Sequence, residues 1–452
     1  MGQAVVDDAP LTVGALAAYL AAGCKPASEF RIGAEHEKFP FRVGSDAPVP
    51  YDGEGGIFAL LSGLERFGWE EVREGETLIG LHRGGANVSL EPGGQFELSG
   101  APLETIHDIH EETVQHLAEV RVVGQELGLG FLGVGFTPLW LRQDVPVMPK
   151  GRYKIMRAYM PKVGKLGLDM MFRTCTVQAN LDFASEADMV LKFRTSLALQ
   201  AVVTALFASS PFREGRPSGL LSTRADVWTD TDPHRTGLLD FVFEDGFGFE
   251  TYARWALDVP MYFVKREGRY IDVAGRSFRK FIAGELAELP GERATMKDWS
   301  DHVTTLFPEV RLKTYLEMRG ADCGPLHMLS ALPALWAGVL YDDAALAAAW
   351  DLCKTWTSED RHGLRADAAR TGLKGQVAGR PVQDVAKDLL AIAREGLRRR
   401  ARSREGLIDE TAYLAPLDEI ADSGVTIADR LLELYHGPWR GEVRNVFDEM
   451  AY

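Results

Sequence analysis

Two hydrophobic periods alternate along this chain. Apolar residues recur three and four positions apart, the spacing of one helix face, over 103–127, 186–208, 328–353 and 383–402, with another such run near 426–436. A shorter run beginning near Thr12 predicts an amphipathic first helix within residues 1–30. Between these lie segments of period two, which predict strands with two unlike faces. In TCTVQANLDF (174–183), Cys175, Val177, Ala179, Leu181 and Phe183 share one face, and Thr174, Thr176, Gln178, Asn180 and Asp182 the other. Read as one strand, VRLKTYLEMR (310–319) sets Val310, Leu312, Leu316 and Met318 against Arg311, Lys313, Tyr315, Glu317 and Arg319. RIGAEHEKF (31–39) puts Glu35 and Glu37 on one side. LEPGGQFELSG (90–100) follows Glu91 with a Pro-Gly-Gly bend, then alternates Gln95, Glu97 and Ser99 with Phe96 and Leu98.

Any half-solvated antiparallel sheet alternates in this way. Solvent faces, however, favour scattered Lys and Glu, whereas Thr, Gln, Asn and Asp in series suit a lined cavity. The four segments together predict an α+β fold: a curved antiparallel sheet with helices on its apolar face and a site on its polar face. No repeat, low-complexity tract or linker interrupts the pattern, so residues 1–452 read as a single catalytic domain, with 380–440 a helical packing segment.

Composition narrows the function. The formal net charge of −15 argues against nucleic acid as a general partner. The one basic run, REGLRRRARSRE (394–405), reads as a solvated helix end. The 4 cysteines form no C-x-x-C pair, which excludes a zinc or thioredoxin-type motif and fits a reducing compartment. The first 25 residues carry no basic leader, their apolar stretch is too short for a bilayer, and Gly2 lacks the downstream Ser or Thr of a myristoylation signal. No membrane partner and a cytoplasmic location are therefore expected.

Familiar motifs are missing. There is no G-x-x-x-x-G-K-[ST] and no G-x-S-x-G. GLGFLG (128–133) follows a helix and opens a strand, the reverse of a dinucleotide fingerprint, and reads as a turn. The histidines of HEETVQH (110–116) are too far apart for one zinc, and His107, His110 and His116 read as helix-surface or boundary residues. What is left is the polar sheet face. Glu35, Glu37, Glu91, Glu97 and Glu317 gathered there would repel without counter-charge. Magnesium takes carboxylate oxygens, keeps waters and bridges to phosphates, and magnesium with Arg is the electrostatic apparatus of phosphoryl transfer. The residues alone thus predict a metal–nucleotide site on a sheet.

IGAEHEKFPF, LEPGGQFELSG, PKGRYKIMRAYMPKVG, RTCTVQANLDF, WTDTDPHRTG, ALDVPMYF and FPEVRLKTYLEMRGAD resemble glutamate–cysteine ligases of the plant and proteobacterial type, from about residue 30 to the terminal FDEMAY. YLEMRGAD also resembles the Glu-x-Arg strand of the wider glutamine-synthetase-like superfamily, and VQAN stands where distant members have His-x-Asn. The resemblance implies that fold and an ATP-dependent ligase. The γ-carboxylate of glutamate takes the γ-phosphoryl group of magnesium-ATP. The amine of cysteine then displaces phosphate from γ-glutamyl phosphate, giving γ-glutamylcysteine, the first step of glutathione synthesis.

The same resemblance assigns Glu35, Glu37, Glu97 and Glu317, with Glu91 and Gln178, as metal ligands. It makes Arg319 the group on ATP's transferring phosphate, in catalysis with Glu317, and Arg152 and Arg224 the clamps on substrate carboxylates. Tyr262 resembles a cysteine-subsite residue, and Thr176 and Asn180 would supply substrate hydrogen bonds. The Pro-Gly-Gly bend is expected to aim Glu91 and Glu97 at the same cations and to let phosphate approach its backbone. The partners implied are glutamate, cysteine and ATP, acting on a monomer or homodimer, while a ligase joining glutamate to another amine stays open. Positions that hold redox-active cysteine pairs in plant members are here His110 with Ser330 and Val273 with Glu288, so thiol control of that kind is not expected.

Overall fold

A computed structural model describes residues 11–452; residues 1–10, including Gly2, lie outside the described residues. The expected first helix is α1 (Val13–Ala21), whose N-terminus is closed by the Thr12 hydroxyl accepting from the Ala15 N–H at 3.1 Å.

The framework is one antiparallel sheet of nine strands: β1 (Ile32–Arg42), β2 (Glu70–Glu74), β3 (Thr77–Arg83), β4 (Ala86–Leu90), β5 (Phe96–Ser99), β6 (Leu129–Leu132), β7 (Thr176–Leu181), β8 (Val310–Leu312) and β9 (Leu316–Asp322). Their order is β8-β9-β7-β1-β5-β4-β3-β2, and β6 pairs with the far end of β1. The period-two segments are therefore spatial neighbours. In register, Glu35 lies between Gln178 and Ser99, Glu37 opposite Glu97, Glu97 opposite Ser89, and Glu317 opposite Asn180.

Residues 310–319 are not one strand, as expected, but a hairpin. Lys313, Thr314 and Tyr315 turn the chain, and Arg311 comes back opposite Glu317. The alternation survives because both arms keep their apolar side chains inward, which a period-two pattern cannot distinguish from a straight strand.

The apolar face is covered by α2 (Ile106–Leu127), α5 (Glu186–Leu206) and α7 (Leu326–Leu340), with α8 (Asp343–Cys353) and α9 (Val382–Arg400) behind them. Fifteen of the 21 residues of α5 are buried, so this long apolar helix is a core element. The run expected over 328–353 is two helices, because Asp342 caps a new one by accepting from the Ala345 N–H at 2.8 Å. The basic run sits at the end of α9, where Arg394, Arg399, Arg400, Arg402 and Arg404 each pair with an acid on another element. Gly128, with φ of 67°, ends α2, but Leu129–Leu132 are strand β6 paired with β1, so GLGFLG is a helix-to-strand junction and mostly strand, not the turn expected.

The histidines of α2 need correction. His107 and His116 are 2% and 1% exposed, because α2 is packed by the sheet, by α7 and by the helix over Ile57–Leu64. His107 bonds to Tyr413 and to the Arg402 carbonyl, while His116 stacks on Phe96. His110 lies 3.0 Å from Ser330, so the two positions of one plant cysteine pair are in contact without a thiol. All four cysteines are free.

Candidate active site

The polar face of the sheet forms the floor of a cavity of about 280 Å³. Glu35, Glu37, Glu97, Gln178, Glu317 and Arg319 rise from the floor. Glu91 enters from the bend after β4, and Arg152 from α3 (Gly151–Tyr159). Phe263 and Phe307 supply apolar walls. A second cavity of about 80 Å³ adjoins it, sharing Glu37, Glu91, Met156, Phe307 and Arg319 and adding Thr176, Arg224 and Trp228.

Charge is divided across the larger cavity. At one end Glu317, 0% exposed, accepts from Arg311 at 2.9 Å and from Arg319 at 2.7 Å, and Lys313 stands 3.7 Å away. These cations hold the Glu317 carboxyl far below the ordinary range although burial opposes them. Arg319 also donates to the Gln178 side-chain oxygen at 2.7 Å, which fixes its fork over the floor.

At the other end the carboxylates lack such support. Burial, then the charges of Glu317 and Glu97, push Glu35 up to about 7. Burial with Glu91 and Glu97 raises Glu37 well above its usual value, and burial with Glu91 raises Glu97. Neutral donors hold each in place: Asn180 to Glu35 at 2.7 Å, the Thr176 N–H to Glu37 at 2.9 Å, and Ser99 to Glu97 at 2.7 Å. Hard oxygen donors in enforced like-charge proximity fit a divalent cation chemically. Among the described residues, however, no three acidic, His or Cys side chains converge into a cage. The set therefore suits a cation completed by waters and phosphate oxygens, not one enclosed by protein.

The remaining sequence candidates separate. Arg152 is 3.8 Å from Glu91, and its Nε has no partner. Arg224 lies in α6 (Thr223–Val227), 3% exposed, and donates to the Arg319 carbonyl at 2.7 Å. Thr176 lines the smaller cavity, but its hydroxyl donates to the Ala321 carbonyl at 2.8 Å. Asn180 stands behind Glu35 and not on the wall. Tyr262 lines neither cavity: it is 1% exposed, 3.3 Å from Asp232 and under the Arg235 guanidinium at 3.8 Å.

The bend differs from expectation. Gly93 makes its close approach to protein, since a Cβ there would fall 2.5 Å from the Phe172 carbonyl oxygen of α4 (Gly167–Arg173). Gln95 lines the smaller cavity as expected of the polar face, but its amide is tied to protein, donating to the Met171 and Thr174 carbonyls at 3.1 and 2.9 Å. Sequence reasoning did not single out Arg311 and Lys313 as site residues, although their place on the polar face beside Glu317 was a usable signal. Thr304, Thr305 and Phe307 carried none, because tertiary packing alone brings them to the cavity.

The fold that carries this cavity is shared with a solved ligase. The structure of glutamate–cysteine ligase from Francisella tularensis in complex with AMP superposes with a TM-score of 0.57 at 12% identity, over 93% of this chain and 87% of that one. Residues 31–449 match the family model described as glutamate–cysteine ligase family 2, and the chain belongs to that family. The chloroplastic glutamate–cysteine ligases of Medicago truncatula and Arabidopsis thaliana are 55% and 56% identical over 451 residues, covering 100% of this chain and 87% and 85% of theirs. Relatives from tobacco and rice are likewise named chloroplastic, which overturns the expectation of a cytoplasmic protein.

Proposed function

We propose that this protein joins the γ-carboxylate of glutamate to the amine of cysteine at the expense of ATP, the first step of glutathione synthesis. The divided cavity carries the reading: one end has carboxylates short of counter-charge, the other has Arg319, Arg311 and Lys313 gathered around Glu317. Bringing a carboxylate against the γ-phosphate of ATP joins two anions; the cationic end opposes that charge directly, and the carboxylate end would do so through the cation it holds.

In this reading Glu35, Glu37, Glu97 and Glu317, with Glu91 and Gln178, hold magnesium. The metal neutralises phosphate oxygens when bound. Arg319 stabilises charge on the phosphoryl group as it moves, and Glu317 keeps its guanidinium aimed. Arg152 and Arg224 take substrate carboxylates, for which a planar fork is the matching donor. The γ-carboxylate oxygen attacks the γ-phosphorus and ADP leaves. The cysteine nitrogen then attacks the acyl carbon and phosphate leaves, with the amine proton passing to solvent or a cavity carboxylate. Arg152 and Arg224 hold the glutamate still between the steps, and Phe263 and Phe307 limit water that would hydrolyse the acyl phosphate.

ADP release from the purified protein with magnesium-ATP and glutamate tests this, with cysteine, 2-aminobutyrate, other amino acids or ammonia added singly. Release that requires glutamate and is fastest with cysteine is expected. Faster release with another amine would keep the chemistry and replace the substrate. No release with any amine would overturn the assignment.

A further inference from the structure

Asp322 ends β9, three residues beyond Arg319 and five beyond Glu317, and is 1% exposed. Its carboxylate touches neither cavity. One oxygen accepts from the Ser209 N–H at 3.0 Å and the Ser210 hydroxyl at 2.6 Å, and the other from the Ser222 hydroxyl at 2.7 Å. A side chain at residue 135 would collide with it, since a Cβ on Gly135 would sit 2.2 Å from the Asp322 carboxyl carbon.

The three donors lie at the two ends of the loop joining α5 to α6. Ser222 caps α6, its hydroxyl oxygen accepting from the Ala225 N–H at 3.0 Å. The Ser210 hydroxyl oxygen accepts from the Arg224 N–H at 3.3 Å. Ser210 and Ser222 thus each donate a hydroxyl to Asp322 and accept from the first turn that carries Arg224. Arg224 closes the ring by donating to the Arg319 carbonyl at 2.7 Å, where a bulge between Met318 and Ala321 interrupts the ladder with β7.

Only an acceptor with two oxygens satisfies all three donors at once. An amide would turn an N–H toward one of them. A buried carboxylate is costly to keep unless it is bonded on every side, as this one is.

We propose that Asp322 is the positioning residue for Arg224. It ties the start of α6 to the strand that carries Glu317 and Arg319, so the carboxylate clamp and the phosphoryl-transfer end keep one spacing. The inference rests on the reading of Arg224 as a clamp on glutamate.

The test is Asp322→Asn in the full chain, alone and combined with Arg224→Ala, with KM measured separately for glutamate, cysteine and ATP. Asp322→Asn is expected to raise the glutamate KM about tenfold, with kcat and the ATP KM changed less than about threefold. In the Arg224→Ala background it should add no further rise, because the two substitutions break one device. Ser222→Ala, which removes one of the three donors, should give a smaller rise of about threefold and serves if Asp322→Asn does not fold. A uniform fall in every parameter, or additive effects in the double variant, would overturn the positioning role. Arg224→Ala with an unchanged glutamate KM would instead remove the clamp reading, and the inference with it.

Discussion

At the scale of single residues, the site holds buried carboxylates whose mutual repulsion is not relieved by an ion pair. Glu37 faces Glu97 across the β1–β5 pair, and burial with neighbouring carboxylates raises its affinity for a proton. A carboxyl whose folded pKa exceeds its unfolded value costs stability as pH rises through that interval. Glu37→Gln keeps an acceptor for the Thr176 N–H and removes the charge. Activity should fall at least about 100-fold, while the melting temperature at pH 8 rises by about 1–2 °C, corresponding to roughly 1 kcal/mol. The gain should shrink as pH falls and the wild-type side chain takes up its proton. Equal loss of activity and stability would make Glu37 a structural residue. The carboxylates were legible as residues because alternation assigns each side chain a face. Tyr262 was not, because motif likeness says nothing about depth, and its hydroxyl points to Asp232 and not to the cavity.

Elements show why part of the fold could be read and part could not. Period-two segments gave the sheet its faces, but not the hairpin within 310–319, since a tight turn that preserves parity leaves the pattern unchanged. The bend after β4 is a tertiary device: Gly93 rests against the backbone of α4, which sequence spacing cannot reveal. A methyl group there meets the Phe172 oxygen at 2.5 Å and its Cα at 2.9 Å. Gly93→Ala should therefore destabilise by about 2–3 kcal/mol in urea unfolding and lower kcat/KM by displacing Glu91. Gly363, inside the helix Ser358–Thr371 with nothing within 4 Å of its added Cβ, is the control. Gly363→Ala should stabilise by about 0.5–1 kcal/mol with unchanged activity. The same sign at both glycines would show that Gly93 is a flexible turn and not a packing contact.

Across the whole molecule, buried titratable groups outside the site set its tolerance of acid. Burial holds His302 down to about 4, and holds His36 and His116 well below their ordinary value. His116 and His302 were not legible as buried, because an isolated His in a helix carries no clear signature of depth, whereas alternation sets His36 on the face opposite Glu35 and Glu37. A histidine depressed in the fold stays neutral while the unfolded chain takes up protons near pH 6.5, so its contribution is present above that pH and is lost as pH falls toward 4. For His302 alone the interval corresponds to about 3 kcal/mol. Glu35, raised to about 7, acts in the opposite sense, since its penalty is relieved as pH falls through the same region. The wild-type profile is therefore a difference of two terms, and a single curve would not separate them. His302→Gln does, because the amide can still donate to the Ala256 carbonyl, now bonded at 2.8 Å, but never becomes charged. Melting curves from pH 8 to pH 4.5 should show the variant slightly less stable at pH 8, where the ring contact with Phe278 is lost, and relatively more stable at the acid end. Parallel curves would mean that His302 titrates alike in both states, and that acid sensitivity lies with the other buried histidines, His36 and His116.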